Sequence, residues 1–369
     1  LKVSSTGNSN TAVGQGAGDA VTTSSNNVLI GNDSGGSLTT GGNNTAVGKD
    51  TISQATTTSQ LVAMGFKALT ACTGAGNNAF GYLAGEAVTT AVQNTFVGHA
   101  AGYNVTTGNN NVFMGYGAGD ACTTGTPNVA IGVGAYGAGG AGGGTENTAI
   151  GHQALTSADS GGLYNTALGS QAGYYITTGD YNVSIGRAAD QVTTNGQFNI
   201  CIGASSKPSA GGGSHQIVLG YNVEGNGNSS FTFGNGSTDT SCDFGSTTWA
   251  LPSDERIKEE IEDDVIGLSF INDLRPRTFR YRKEKDIPEA LKSHVSGSEE
   301  RFRTDKYQHG FIAQEVKEAI NKHNFKDGFD MWSENENDGR QMIGPTAVIP
   351  MLVKAIQELS AEVEKLKGE

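Results

Sequence analysis

A five-residue pattern recurs fourteen times between residues 10 and 234: Asn, a β-branched residue, a small residue, a large apolar residue, then Gly. It reads NTAVG at 10–14, NVLIG at 27–31, NTFVG at 94–98 and NVSIG at 182–186. The closing glycines run from Gly14 and Gly31 to Gly220 and Gly234, and the step between them is 17 residues in nine of thirteen intervals. Alternation with β-branched residues marks a short strand with one small and one large face. So short a strand cannot bury an apolar face alone. Stacked copies pair strand on strand and enclose one continuous core, so the repeat demands a solenoid.

The remainder of each unit is turn chemistry. Ala stands three residues after the closing Gly in nine units, as at Ala17, Ala68 and Ala84. Stretches such as Thr106-Thr107-Gly108-Asn109-Asn110 lead into the next strand, where Gly supplies positive φ and Asn bonds nearby backbone. Asn stands four residues before the Gly in 11 of 14 units. A column of one amide at one rung position predicts a hydrogen-bonded side-chain ladder. At about 4.8 Å per rung, the stack extends roughly 60–70 Å.

Composition changes sharply near residue 250. Residues 1–250 hold 5 Lys+Arg, 12 Asp+Glu and 48 of the 55 Gly; residues 251–369 hold 19 and 25 charges of the two signs. The formal net charge of −13 argues against general nucleic-acid binding. No run of 18 apolar residues exists, so no membrane insertion is expected. No charged-then-apolar leader opens the chain, and the start at Leu1 rather than Met is read as a fragment boundary. Cys72, Cys122, Cys201 and Cys242 are scattered and lack metal spacing, so free thiols, no metal and no cofactor are expected. Gly-rich pieces such as Gly14-Gln15-Gly16-Ala17-Gly18 recur with no following helix, unlike phosphate loops.

Residues 8–234 resemble the repeat heads of trimeric autotransporter adhesins, whose coils are shorter than 17 residues. The resemblance implies a trimeric rod, with the small face of each strand available to pack on a threefold axis.

After Phe244 the repeat stops. Taken alone, Ser253 behind Pro252 and ahead of two acids is a plausible helix N-cap. A Ser and a Lys five apart lie about 140° apart on a regular helix, not on one face. Three longer segments give these residues a context. They are SDERIKEEI at 253–261, Leu274 through Tyr281 (LRPRTFRY), and HGFIAQEV at 309–316 followed by IPMLVKAIQELSAEVEKL at 349–366. Together they resemble the opening motif, central strand and closing helices of the intramolecular chaperone and auto-processing domain of phage endosialidases, tail spikes and tail fibres. The resemblance implies self-cleavage at Pro252–Ser253, with Ser253 as nucleophile and Lys258 as general base. Asp254, Arg256, His309 and Gly310 are candidate supports of that site.

The run of Arg275, Arg277, Arg280, Arg282, Lys283 and Lys285 has acids nearby, so no nucleic-acid contact is expected. In the last segment Ile349, Leu352, Ile356, Leu359, Val363 and Leu366 recur at 3 and 4, a heptad seam placed on a helix at 346–367. Its β-branched a positions with Leu at d favour two strands rather than three.

The expected fold is therefore mainly β: a trimeric parallel β-roll or solenoid of about 14 repeats over 1–234, then a tip or linker at 235–252. An α+β chaperone domain at 253–369 follows, ending in a long helix. The expected function is the distal segment of a phage tail fibre or tail spike, a virion protein made in the host cytoplasm. Its homotrimer would join upstream fibre segments to a host cell-surface receptor, a glycan or outer-membrane component. Segments 134–146 and 204–215 are where contacts are expected. A bacterial adhesin or structural fibre using the same modules is the alternative, and a glycan-degrading spike a second one. Carboxylates on the rod are too sparse and irregular for a glycosidase pair, so turnover on an external substrate is not expected.

Overall fold

The computed structural model describes residues 6–137, 142–157, 162–246, 249, 253–323, 325, 329–335 and 338–368. It comprises two compact units, Leu1–Ser253 and Asp254–Glu369.

The first unit is a parallel β-solenoid. Strands β1 (Thr11–Val13) to β14 (Ser230–Gly234) stack in chain order, each pairing in parallel with the next. Register follows the repeat: Ala12 lies beside Leu29, and Leu29 beside Ala46. The predicted Asn ladder is present and buried. Wherever one Asn follows another in the column, the backbone N–H of the later one donates to the side-chain oxygen of the earlier, at 3.0 Å for Asn44 to Asn27 and 2.8 Å for Asn128 to Asn111. The side-chain Nδ2 donates onward to a carbonyl of the next coil, as Asn94 does to Gly108 O at 2.9 Å. Where Asn is replaced by Leu61, its backbone N–H still donates to Asn44 Oδ1.

The small face points inward, which corrects the expectation that it packs on a threefold axis. Leu29, Ala46, Phe96, Phe113 and Ala149 are fully buried inside their own coils. The residue one position later points out. Val13, Ile30, Met64, Phe80, Met114, Ile131, Leu168, Ile202, Leu219 and Phe233 form an exposed apolar stripe along the stack. The coil is narrow, so period-2 alternation seats the column holding most of the alanines inside and leaves the large column outside.

In several coils side-chain volumes compensate one another. Where the strand and turn positions are both small, as at Ala79 with Gly85 or Ala167 with Gly173, side chains such as Leu69, Phe96, Leu155 and Ile176 fill the space beside the Gly. Where the strand carries Phe96 or Phe113, the turn opposite carries Gly102 or Gly119. A Cβ at Gly102 would stand 2.4 Å from the Phe96 ring. Where the strand carries Ala46, Ala63 or Ala149, the same turn position carries buried Ile52, Leu69 or Leu155. These three accept positive φ values of 42°, 51° and 48°, a conformation costly for bulky residues. The closing glycines serve a different need: a Cβ at Gly31, with φ +134°, would lie 2.3 Å from Gly48 O in the next coil. Strand β15 (Thr240–Asp243) pairs antiparallel with β14 and covers the last parallel edge. Phe231 and Phe233 meet Trp249 at this end, with ring centroids 5.7 and 5.4 Å apart. All four cysteines are free thiols, and burial pushes Cys72 and Cys122 up to about 11.

The second unit is α+β. Helix α1 (Leu268–Asp273), helix α2 (Ala313–Lys322) and helix α3 (Ile349–Lys367) pack with two short antiparallel ladders. These are β16 (Arg277–Phe279) on β17 (Gln308–Gly310), and β18 (Trp332–Glu334) on β19 (Gln341–Ile343). Phe270, Val316, Ala319, Met331, Val348 and Met351 form the core. Phe270 meets Phe325 and Phe329 edge-on, and those two stack at 4.2 Å. Gly267 offers α1 no side-chain cap, and Glu358 of α3 supplies one by accepting the Leu268 N–H at 2.8 Å. Helix α3 begins after a 3₁₀ turn at Pro345–Val348 and turns Met351 and Ala355 into the core. The heptad positions Ile349, Leu352, Ile356, Leu359, Val363 and Leu366 are all exposed.

Among the described residues, no helix is long and apolar enough to cross a membrane.

Candidate functional site

The motif at 253–258 lies across the boundary between the two units, since Ser253 ends the first and Asp254 opens the second. Pro252, half of the expected scissile bond, lies outside the described residues. Asp254, not Ser253, is the N-cap: its carboxylate accepts from the Arg256 backbone N–H at 2.9 Å and starts a 3₁₀ turn at Glu255–Ile257. The same carboxylate takes the Arg256 guanidinium through Nε at 2.9 Å and Nη2 at 2.6 Å. These bonds hold the Asp254 carboxyl below the usual carboxylate range and raise Arg256. One fork thus caps the turn between Ser253 and Lys258. Ser253, Asp254, Arg256 and Lys258 are all exposed.

Among the described residues, no hydrogen bond or ion pair joins the Asp254–Arg256 fork to the other candidates, His309 and Gly310. His309 and Gly310 lie on β17, a strand where closing-helix sequence was expected, because residues 308–310 pair with 277–279. Gly310 pairs with Arg277, and His309 Nδ1 sits 3.1 Å from Thr278 Oγ1 on an exposed face. Arg277 grips Glu315, in the first turn of α2, with both Nε and Nη2, and Arg275 adds a third bond at 3.5 Å. These cations keep the Glu315 carboxyl below its ordinary range. The central strand and the HGFIAQEV segment are therefore one interlocked piece.

Much of the basic run is paired within the unit: Arg280 bonds the Asp305 carbonyl and lies 3.9 Å from its carboxylate, and Lys283 and Lys285 both hold Glu299. Sequence reasoning missed a second link, His323 Nε2 to Asp273 Oδ2 at 2.9 Å, which ties α2 to α1. Only the single His and single Asp, 50 residues apart, carried that signal.

The fold and its C-terminal unit define a β-solenoid followed by a small α+β domain that opens on a Ser-Asp-x-Arg-x-Lys motif. Residues 253–325 match the family model of a peptidase family described as the chaperone of endosialidase. Comparison with curated proteins and with solved structures gives no match. That family is linked to self-cleaving serine peptidase activity, and the solenoid-plus-chaperone pairing fits a tail fibre- or tail spike-like phage protein.

Proposed function

We propose that the chain is the distal segment of a phage tail fibre or tail spike. Its solenoid would be a trimeric receptor-binding rod, and residues 253–369 a trimerisation chaperone that removes itself. The observation that carries the proposal is the match at 253–325 together with two unpartnered apolar tracts. The stripe from Val13 to Phe233 and the seam from Ile349 to Leu366 are both exposed in the single chain, and tracts of this length mark interaction surfaces. They support self-association; the homotrimer follows from the family match rather than from the seam, whose a and d residues favour two strands. The rod would continue into upstream fibre segments at one end and meet a host-surface receptor along its sides.

In the proposed cleavage, Ser253 Oγ attacks the Pro252 carbonyl carbon while Lys258 takes the hydroxyl proton. The C–N bond breaks, the Ser253 nitrogen leaves as an amine carrying that proton, and an ester joins Pro252 to Oγ. Water then hydrolyses the ester, leaving a Pro252 carboxylate and a free Ser253 N-terminus. Lys accepts a proton only when neutral, and desolvation is what lowers a lysine's proton affinity. Lys258 is exposed in the single chain, so trimer contacts would supply the desolvation and make cleavage wait for assembly.

Denaturing gels of the purified chain test this. The parent should release a fragment that begins at Ser253, and Ser253→Ala should stay full-length; complete cleavage of Ser253→Ala would overturn the assignment. Adsorption of the labelled rod to a panel of bacterial strains tests receptor binding separately. Adsorption to some strains is expected, and adsorption to none would count against it.

A further inference from the structure

Two aromatic ladders climb the solenoid surface. In one, Phe66, Tyr82, His99 and Tyr116 each follow a closing Gly and stack with ring centroids 5.2, 5.0 and 5.0 Å apart. In the other, Tyr164, Tyr181, Phe198 and His215 stack at 4.7, 5.1 and 4.9 Å. A ladder covers its own ring faces except where it stops. The first stops at Tyr116, because the next rung carries Val133 at the same position, joined by Gly134 N–H to Tyr116 O at 2.9 Å.

At that stop the surface opens into a cleft of about 270 Å³. It lies on the turn that follows each strand, where the 17-residue step lengthens to 19 between Gly132 and Gly151. Tyr116 and Val133 form its apolar part, and Asp120, His152, Gln153 and Thr156 supply polar groups. Tyr116 and Val133 are 61% and 50% exposed, so the floor is open to a ligand. Asp120 Oδ1 is buried and forms no well-aligned hydrogen bond among the described residues, although the backbone N–H groups of Ala121 and Asp120 lie near the carboxyl. A buried carboxylate oxygen without such a bond is costly and calls for a partner. Its partial burial also pushes the Asp120 carboxyl above its usual range.

We propose that this cleft binds one uncharged sugar ring of a cell-surface glycan, with Tyr116 and Val133 against its C–H face and the Asp120 carboxylate accepting a ring hydroxyl. The proposal rests on the receptor-binding reading of the rod and adds where contact is made and with what chemistry. A pyranose offers an apolar face rimmed by hydroxyls, which suits an aromatic platform flanked by polar groups. The volume falls just below the roughly 300–1,000 Å³ of sites for drug-sized ligands, the scale of a single sugar unit. Asp120 in the wall and a net charge of −13 disfavour acidic sugars.

The test is the full chain on a printed array of neutral oligosaccharides, sialylated oligosaccharides and bacterial surface polysaccharides, with affinities for bound glycans then measured in solution. Neutral glycans should bind, and Tyr116→Ala and Asp120→Asn should each weaken them by about tenfold or more. Tyr116→Phe should retain binding, as should Tyr181→Ala in the other ladder. Binding confined to sialylated glycans, binding indifferent to Tyr116→Ala, or no glycan bound at all would overturn the cleft. Adsorption to bacterial cells that survives Tyr116→Ala would overturn it while leaving the receptor reading standing. Adsorption to no cells would remove the receptor reading itself.

Discussion

In several coils one side chain's bulk is matched by another's. Phe96 and Gly102 share space that Ala149 and Leu155 fill the other way round three coils later. Truncating Phe96→Ala should therefore cost about 3–5 kcal/mol, read as a lower midpoint of denaturant unfolding. The pair Phe96→Ala with Gly102→Leu should recover part of that loss, and a pair no more stable than the single variant would contradict the volume argument.

Asp190 gives a pH signature. It is fully buried, accepts from Ser184 Oγ at 3.3 Å and Thr193 N–H at 3.1 Å, and burial raises its proton affinity. An acid whose folded pKa exceeds its unfolded one favours the fold most when protonated. Its contribution is thus greatest below the unfolded value of about 3.9 and is lost as pH rises towards the folded one. Asp190→Asn should raise the melting temperature at pH 8 by more than at pH 4, and an equal shift at both would contradict the assignment. At this scale the Asn ladder was legible, since one residue type in one column can mean little else. Which column faces inward was not, because the strand centre and the residue after it are both apolar in most units, and packing in the coil decides between them.

At the scale of elements, two apolar surfaces share one logic: each lies opposite a face already packed. Helix α3 spends Met351 and Ala355 on its own domain and leaves its 3–4 seam outside. Ile356→Asp with Leu359→Asp should leave the second unit's circular dichroism intact while abolishing oligomers in sedimentation; unfolding instead would place the seam in the core. The seam was readable because a 3–4 spacing over six positions is self-consistent within one helix. Strand β17 was not. His309 and Gly310 are extended because Thr278 and Arg277, over thirty residues earlier, offer them a ladder, and so short a strand shows no period of its own. The cap at Asp254 was misassigned to Ser253 for a related reason. Both are good caps, and Arg256 decides between them by closing its fork on Asp254.

For the whole molecule, the repeat that builds the rod also threatens it. Coils of near-identical surface pay only end contacts for slipping one rung, so several chains can zip together out of register. A folded tail that associates first would set the alignment, and removing it afterwards would leave a rod held by its own cooperative stacking. The order also predicts a coupling: Ile356→Asp with Leu359→Asp, which leaves Ser253 and Lys258 untouched, should abolish self-cleavage on denaturing gels. Efficient cleavage in that variant would show that the site needs no assembly.

The claim at the centre is that the tail chooses the register. It is tested most directly by native mass spectrometry and electron microscopy of residues 1–252 made with and without residues 253–369. The account predicts uniform threefold rods only when the tail is present during folding, and mixed or misaligned assemblies without it. Uniform, full-length threefold rods at equal yield from residues 1–252 alone would contradict it.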